Sequence, residues 1–209
     1  MSYKLTEPVA SEEALRAIMG HPTEVVNRKT IDHLDEHCRK FIARSPFLTV
    51  ATSDGNGRFD VSPKGDPPGF VSVLDAHHLA IPDRPGNRKA DTLSNIIAHP
   101  YVGLIFFIPG VRETLRVNGD ATVVRDPELR KALSCQDKVP DFAIVVRVRE
   151  AFMHCAKCII RSKLWSGGYD VDATELPTLG RALVDHAKLA VSPEELDAAI
   201  REDERTNLY

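Results

Sequence analysis

Residues Leu79 to Pro100 read L-A-I-P-D-R-P-G-N-R-K-A-D-T-L-S-N-I-I-A-H-P. A short strand-like run gives way to a Pro/Gly turn, and the adjacent cations Arg88 and Lys89 stand at the opening of a helical pattern. That pattern runs from Asp91 to Ala98, with Leu93, Ile96 and Ile97 on its apolar face, and Pro100 ends it. The nearly continuous apolar run Tyr101 to Ile108 follows, as expected of a buried strand. Arg88 offers a bidentate fork and Lys89 a compact point charge, while Gly86 allows a ligand close to the backbone. Cations at the start of a helix oppose its dipole unless an anion compensates, so the segment reads as a phosphate site, against the alternative of a charged first turn.

Outward from this segment the chain is rich in short strands. Phe47 to Thr52 is a strand, Ser53-Asp54-Gly55-Asn56-Gly57 a hairpin turn, and Arg58 to Ser62 the returning strand. Phe70 to Leu74, Leu79 to Ile81, Thr114 to Val124 and Ala143 to Phe152 complete the set, with a helix near Pro127 to Leu133. Short strands with antiparallel turn signals and few long helices favour a small barrel over a doubly wound sheet. Helices are expected before the barrel, capped at Ser11 and then from about Asp32 to Ala43. After it they are expected from about Thr178 to Leu189 and from Ser192 to Arg201. The organisation expected is an N-terminal helical extension over residues 1–45, a barrel over 46–168 and a C-terminal helical extension over 169–209.

The chain has 209 residues, enough for one good core, and a net charge of −3. Nucleic acid is a poor partner for so balanced a surface. No apolar stretch reaches the ~20 residues of a membrane span, and the start M-S-Y-K-L-T-E-P has no secretory apolar region, so a cytoplasmic protein is expected. Cys38, Cys135, Cys155 and Cys158 are read as reduced, with Cys155 and Cys158 serving local packing and no metal bound.

His33-Leu34-Asp35-Glu36-His37 matches H-x-x-E-H, which on a helix would put two imidazoles on one face beside a carboxylate. The stretch is short, charged and without an evident third ligand, so a solvated helix face is preferred to a zinc hydrolase. No G-x-S-x-G elbow is present, and Gly55-Asn56-Gly57 precedes a strand, which makes it a turn and not a dinucleotide fingerprint. Ser62-Pro63-Lys64-Gly65-Asp66, Thr114 and Leu164-Trp165-Ser166-Gly167-Gly168 remain as parts that would suit a flat, phosphorylated ligand.

With these pieces in order, the chain resembles the pyridoxamine 5′-phosphate oxidase class of FMN-binding split-barrel proteins. The carriers are F-L-T-V-A-T-S-D-G-N-G-R-F-D-V-S-P-K-G-D, the segment from Leu79 through the following apolar strand, and E-T-L-R-V-N-G-D-A, with L-W-S-G-G as a weaker echo. The resemblance implies a mainly-β split β-barrel with helical extensions, FMN as cofactor, and a site at a homodimer interface. It implies that Arg88 and Lys89 hold the FMN phosphate, with Asn87 beside them. It also places Ser62 and Lys64, Ile81 and Pro82, Thr114 and Trp165 at the cofactor, Trp165 toward the partner subunit's flavin. The vitamin oxidase carries an Arg-x-His pair after W-x-G-G, where this chain has Tyr169-Asp170-Val171-Asp172-Ala173-Thr174. Acidic residues there would repel a phosphorylated substrate, which implies a different branch of FMN-dependent enzymes. The function implied is hydride or electron transfer with a small molecule. No catalytic side chain stands out, and the alternative is a non-catalytic flavin carrier or sensor.

Overall fold

The computed structural model describes residues 3–167 and 172–209. Its strands are β1 (Phe47–Ser53), β2 (Phe59–Gly65), β3 (Ser72–Val73), β4 (His78–Asp83), β5 (Tyr101–Phe107), β6 (Thr114–Val124) and β7 (Phe142–His154). They form one sheet in the order β2-β1-β5-β6-β7-β4-β3, and every pairing is antiparallel. Antiparallel pairing follows from the short connections. The β1–β2 turn, for example, uses Gly55 and Gly57 at φ 77° and 97°, a region that glycine enters without Cβ strain.

Four strands separate β2 from β4, so a flat sheet would hold them about 24 Å apart at the usual strand spacing. Instead Lys64 Nζ of β2 lies 3.3 Å from Asp83 Oδ1 of β4, and Arg84 Nε lies 2.6 Å from Asp66 Oδ2. The sheet is therefore rolled until its two sides meet, but the meeting is made by side chains and not by a backbone ladder. The fold is a mainly-β split barrel with helical additions, and its sheet stays open.

Alternation along the strands fills the barrel with Leu48, Val50, Leu79, Ile81, Leu104, Phe106, Leu115, Val117, Ile144 and Val146, all fully buried or nearly so. β2 departs from this rule. Its apolar Phe59 and Val61 are 80% and 63% exposed, while Asp60, Ser62 and Lys64 on the other face are half-buried. An edge strand that turns its polar face inward lines the seam with groups able to bind something. Opposite, β6 and β7 shift register at Asn118/Gly119.

Helix α1 (Glu12–Met19) is capped by Ser11 as expected and buries none of its residues, and neither does α2 (Glu24–Arg28). Helix α3 (Glu36–Ile42) plugs the barrel with Cys38, Phe41 and Ile42. The expectation of a helix from Asp32 is corrected, because the Asp35 carboxylate accepts the Cys38 N–H at 2.8 Å and starts the helix there. Helices α4 (Asp91–Ala98) and α5 (Pro127–Ala132) match their expected places.

Two further expectations change. Phe70 to Leu74 shrinks to β3, because Pro67-Pro68-Gly69, with Gly69 at φ 90°, still governs the chain direction there. Helix α6 (Lys157–Ser162) was not expected, and its buried residue is Ile159, while Cys155 and Cys158 are exposed and free. Their expected packing role is thereby corrected. Helices α7 (Leu179–Ala187) and α8 (Pro193–Thr206) form a hairpin in which Gly180 N–H donates to Asp197 Oδ1 at 2.8 Å. A Ser192 capping box starts α8. No helix among the described residues is long and apolar enough to cross a membrane.

Candidate functional site

The seam between β2 and β4 gathers the chemistry. Beyond β3, which pairs only with Leu79 and Ala80, residues Ile81, Pro82 and Asp83 of β4 have an open edge facing it. Ile81 and Pro82 are buried, so their offering to a ligand at that edge is backbone. Lys64 and Asp83 form the ion pair across the seam with side chains 19% and 22% exposed. Ser62, registered opposite Val50, is half-buried on the same face of β2 as Lys64.

From Asp83 the chain enters an exposed loop that reaches α4. The Asn87 side-chain oxygen accepts the Lys89 N–H at 3.0 Å, and Arg88 and Ala90 take left-handed φ values of 60° and 57°. This local turn sets both cations just before α4. Lys89 Nζ meets Asp91 Oδ2 at 2.6 Å, whereas Arg88 has no carboxylate partner within ion-pair distance among the described residues. A Cβ at Gly86 would meet nothing within 4 Å, so the loop is open on that side. No side chain caps α4, leaving the donors of its first turn available.

Two part-buried polar contacts fix α4 against the sheet. Thr92 Oγ1 donates to Asp60 Oδ2 at 2.7 Å, and Asn95 Nδ2 donates to Thr52 Oγ1 at 3.0 Å. The helix is thus held over β1 and β2, and its start lies over the strand that carries Ser62 and Lys64. Arg88, Lys89, Asn87, Lys64, Ser62, Ile81 and Pro82 therefore share one side of the barrel.

Thr114 and Trp165 are placed differently. Thr114 is buried at the first position of β6, and the Trp165 indole N–H donates to the Val111 carbonyl at 2.8 Å, beside the β5–β6 turn. No hydrogen bond or ion pair among the described residues joins either of them to the loop from Arg84 to Ala90. Of the departure from Arg-x-His, Gly168 to Val171 lie outside the described residues, while Asp172 Oδ1 accepts from the Thr174 hydroxyl at 2.6 Å.

His33 precedes α3 and contacts Asp32 Oδ1 at 2.9 Å, so it shares no helical face with His37. The zinc geometry of H-x-x-E-H is lost, and no group of three metal-binding side chains occurs among the described residues. Cys38 is no nucleophile either, since burial and the Asp35 carboxylate push its thiol up to about 12.

Sequence reasoning missed Asp83, Arg84 and Asp66, which complete the seam. Their signal was the alternation of charge in D-R after one strand and K-G-D at the end of another, visible as a set only once the sheet is rolled.

Fold and seam together define a split-barrel protein with a cation-bearing loop at the junction of its open sheet. The family model of pyridoxamine 5′-phosphate oxidase matches residues 34–155, more than half of the chain, and the chain belongs to that family. No curated protein matches it. Among solved structures, HupZ from Group A Streptococcus is 17% identical, the match covering 57% of this chain and 92% of that one at a TM-score of 0.48. An FMN-binding protein from Syntrophomonas wolfei subsp. wolfei is 14% identical, covering 68% of this chain and 96% of that one at a TM-score of 0.46.

Proposed function

We propose that this protein binds FMN and transfers hydride or electrons to or from a small molecule, at a site shared between two copies of the chain. The observation that carries the reading is the Arg88 guanidinium, without a carboxylate partner among the described residues and set by the Asn87 turn beside an uncapped helix start. A dianionic phosphate fits that donor set: a guanidinium fork, an ammonium, and free backbone N–H groups with no Cβ at Gly86 in the way.

FMN, when bound, supplies the redox chemistry. Arg88 and Lys89 hold the phosphate and so orient the cofactor along the seam. Lys64 is the ammonium available to offset negative charge on the reduced ring, and Asp83 sets how much of that charge is free. The open β4 edge at Ile81 to Asp83 offers backbone donors and acceptors to ring heteroatoms. Residues 46–168 form the cofactor-binding unit in this reading, and 1–45 and 169–209 are extensions.

A shared site is supported by the split of the residues. Thr114 and Trp165 sit at the β5–β6 turn, apart from the loop, and would complete the site of the other copy. The exposed Phe59 and Val61 give β2 an apolar outer face that association would cover.

The test is an absorption spectrum of the purified protein with heat release and identification of the chromophore. Twin flavin bands and FMN released near one per chain support the reading. A colourless protein that takes up no added FMN overturns it. Reduction of the bound flavin by NADH or NADPH on a turnover timescale separates an enzyme from a carrier.

A further inference from the structure

Asp66 is the most deeply buried carboxylate of the seam, with a side chain 1% exposed, and both its oxygens are occupied. Oδ2 takes Arg84 Nε at 2.6 Å, and Oδ1 takes the phenol of Tyr209 at 2.6 Å, from 143 positions further along the chain. The Tyr209 ring also lies under the Arg84 guanidinium, 5.7 Å from its centre, and the Cys135 thiol neighbours the same phenol. Apart from these contacts of Tyr209, no hydrogen bond or ion pair among the described residues joins residues 172–209 to the barrel.

Arg84 is the first residue of the loop that carries Arg88 and Lys89, and Asp66 follows Lys64 by two residues. The pairs Lys64–Asp83 and Asp66–Arg84 thus stitch the seam at adjacent positions, and Tyr209 closes the second stitch. We propose that Tyr209 is a positioning residue of the site: it locks Arg84 onto Asp66, and so fixes the stem of the loop from Arg84 to Ala90. A consequence, resting on the FMN reading above, is that the α7–α8 hairpin governs how long the cofactor phosphate is retained.

The physical reason is that a buried carboxylate must keep its partners. Without the phenol, one Asp66 oxygen is left unsatisfied and the guanidinium loses its aromatic support, so the loop stem opens to water more often. Tyr209→Phe removes the hydrogen bond and keeps the ring, and Tyr209→Ala removes both.

Hydrogen exchange of the full chain without cofactor decides the clamp. Exchange over residues 84–90 is expected to rise roughly tenfold in Tyr209→Phe and further in Tyr209→Ala, with the β5–β6–β7 amides unchanged. Unchanged exchange over 84–90 in Tyr209→Ala, or an equal rise throughout the barrel, overturns it. FMN release measured on the same variants then reads the consequence: faster release with unaltered melting of the barrel supports control of retention, and unaltered release overturns that control. A wild-type chain that takes up no FMN overturns the cofactor reading alone, and the exchange result still decides the clamp.

Discussion

Lys64 Nζ and Asp83 Oδ1 stand 3.3 Å apart although four strands lie between theirs in the sheet. The pair replaces the hydrogen-bond ladder that would close a complete barrel, and it leaves the seam wide enough to be polar. A closed ladder would bury the backbone edge at Ile81 to Asp83. The open seam leaves that edge without a strand partner, at the cost of relying on side chains for closure.

Breaking the seam pair should therefore destabilise the whole barrel. With both side chains mostly buried, Asp83→Asn or Lys64→Ala is expected to cost about 1–3 kcal/mol, because each leaves a charge without its counterpart. Urea unfolding of the two variants checks it. Losses of only a few tenths would mean that the barrel closes without the pair.

The two cations of the loop should not contribute equally to phosphate binding. Lys89 already holds Asp91 at 2.6 Å, so an incoming phosphate must share or displace that carboxylate, whereas Arg88 has none to give up among the described residues. Arg88→Ala is expected to weaken FMN binding roughly 10- to 100-fold and Lys89→Ala less. Asp91→Asn should tighten binding, since it removes a competing negative charge at the helix start. Titration by fluorescence quenching orders the three variants, and an Asp91→Asn protein that binds more weakly than wild type would contradict the scheme.

The N-cap of α3 predicts a pH dependence. Burial is the largest single influence on Asp35 and works to raise its pKa, but the hydrogen bonds from the Cys38 N–H and thiol, together with His37, outweigh it and hold the carboxyl below its ordinary value of 3.8. The folded pKa is depressed, so the contribution is complete above the unfolded pKa and fades as pH falls through the folded one. Asp35→Ala is expected to lose about 1 kcal/mol at neutral pH and progressively less in acid, while Asp35→Asn keeps the cap. Chemical denaturation of the three proteins at pH 7 and below pH 3.8 reads the difference.

The strand from Thr114 to Val124 and the helix from Asp91 to Ala98 appear in the structure with the bounds read from sequence, because alternation and the Pro100 stop are local signals. The cation-bearing loop was legible for the same reason, since Gly86, Asn87, Arg88 and Lys89 are contiguous. The seam was not. Asp66 and Arg84 are 18 positions apart, and Tyr209 lies 143 beyond Asp66, so nothing nearby in the chain announces their contact. β3 is shorter than its apolar pattern suggests because the Pro67-Pro68-Gly69 turn still directs the chain there, so that only Ser72 and Val73 reach β4.

A single methyl group should separate the two glycines within the β5–β6 pairing. A Cβ at Gly119 would collide with the Arg147 carbonyl oxygen and stand 3.1 Å from Val146 Cγ1, at the very point where β6 and β7 shift register. Backbone cannot retreat there without breaking the ladder that carries β7 to β4 and the seam. At Gly103 the same Cβ would meet Asn118 Oδ1 at 3.5 Å and Ala51 Cβ at 3.9 Å, ordinary contacts. Gly119→Ala is therefore expected to cost several kcal/mol, or to yield no soluble protein, while Gly103→Ala stays within about 1 kcal/mol of wild type. Thermal melts of the pair decide it. Equal melting temperatures would mean that the register shift tolerates a side chain, and that the path from β6 through β7 to the seam is looser than the Gly119 contact implies.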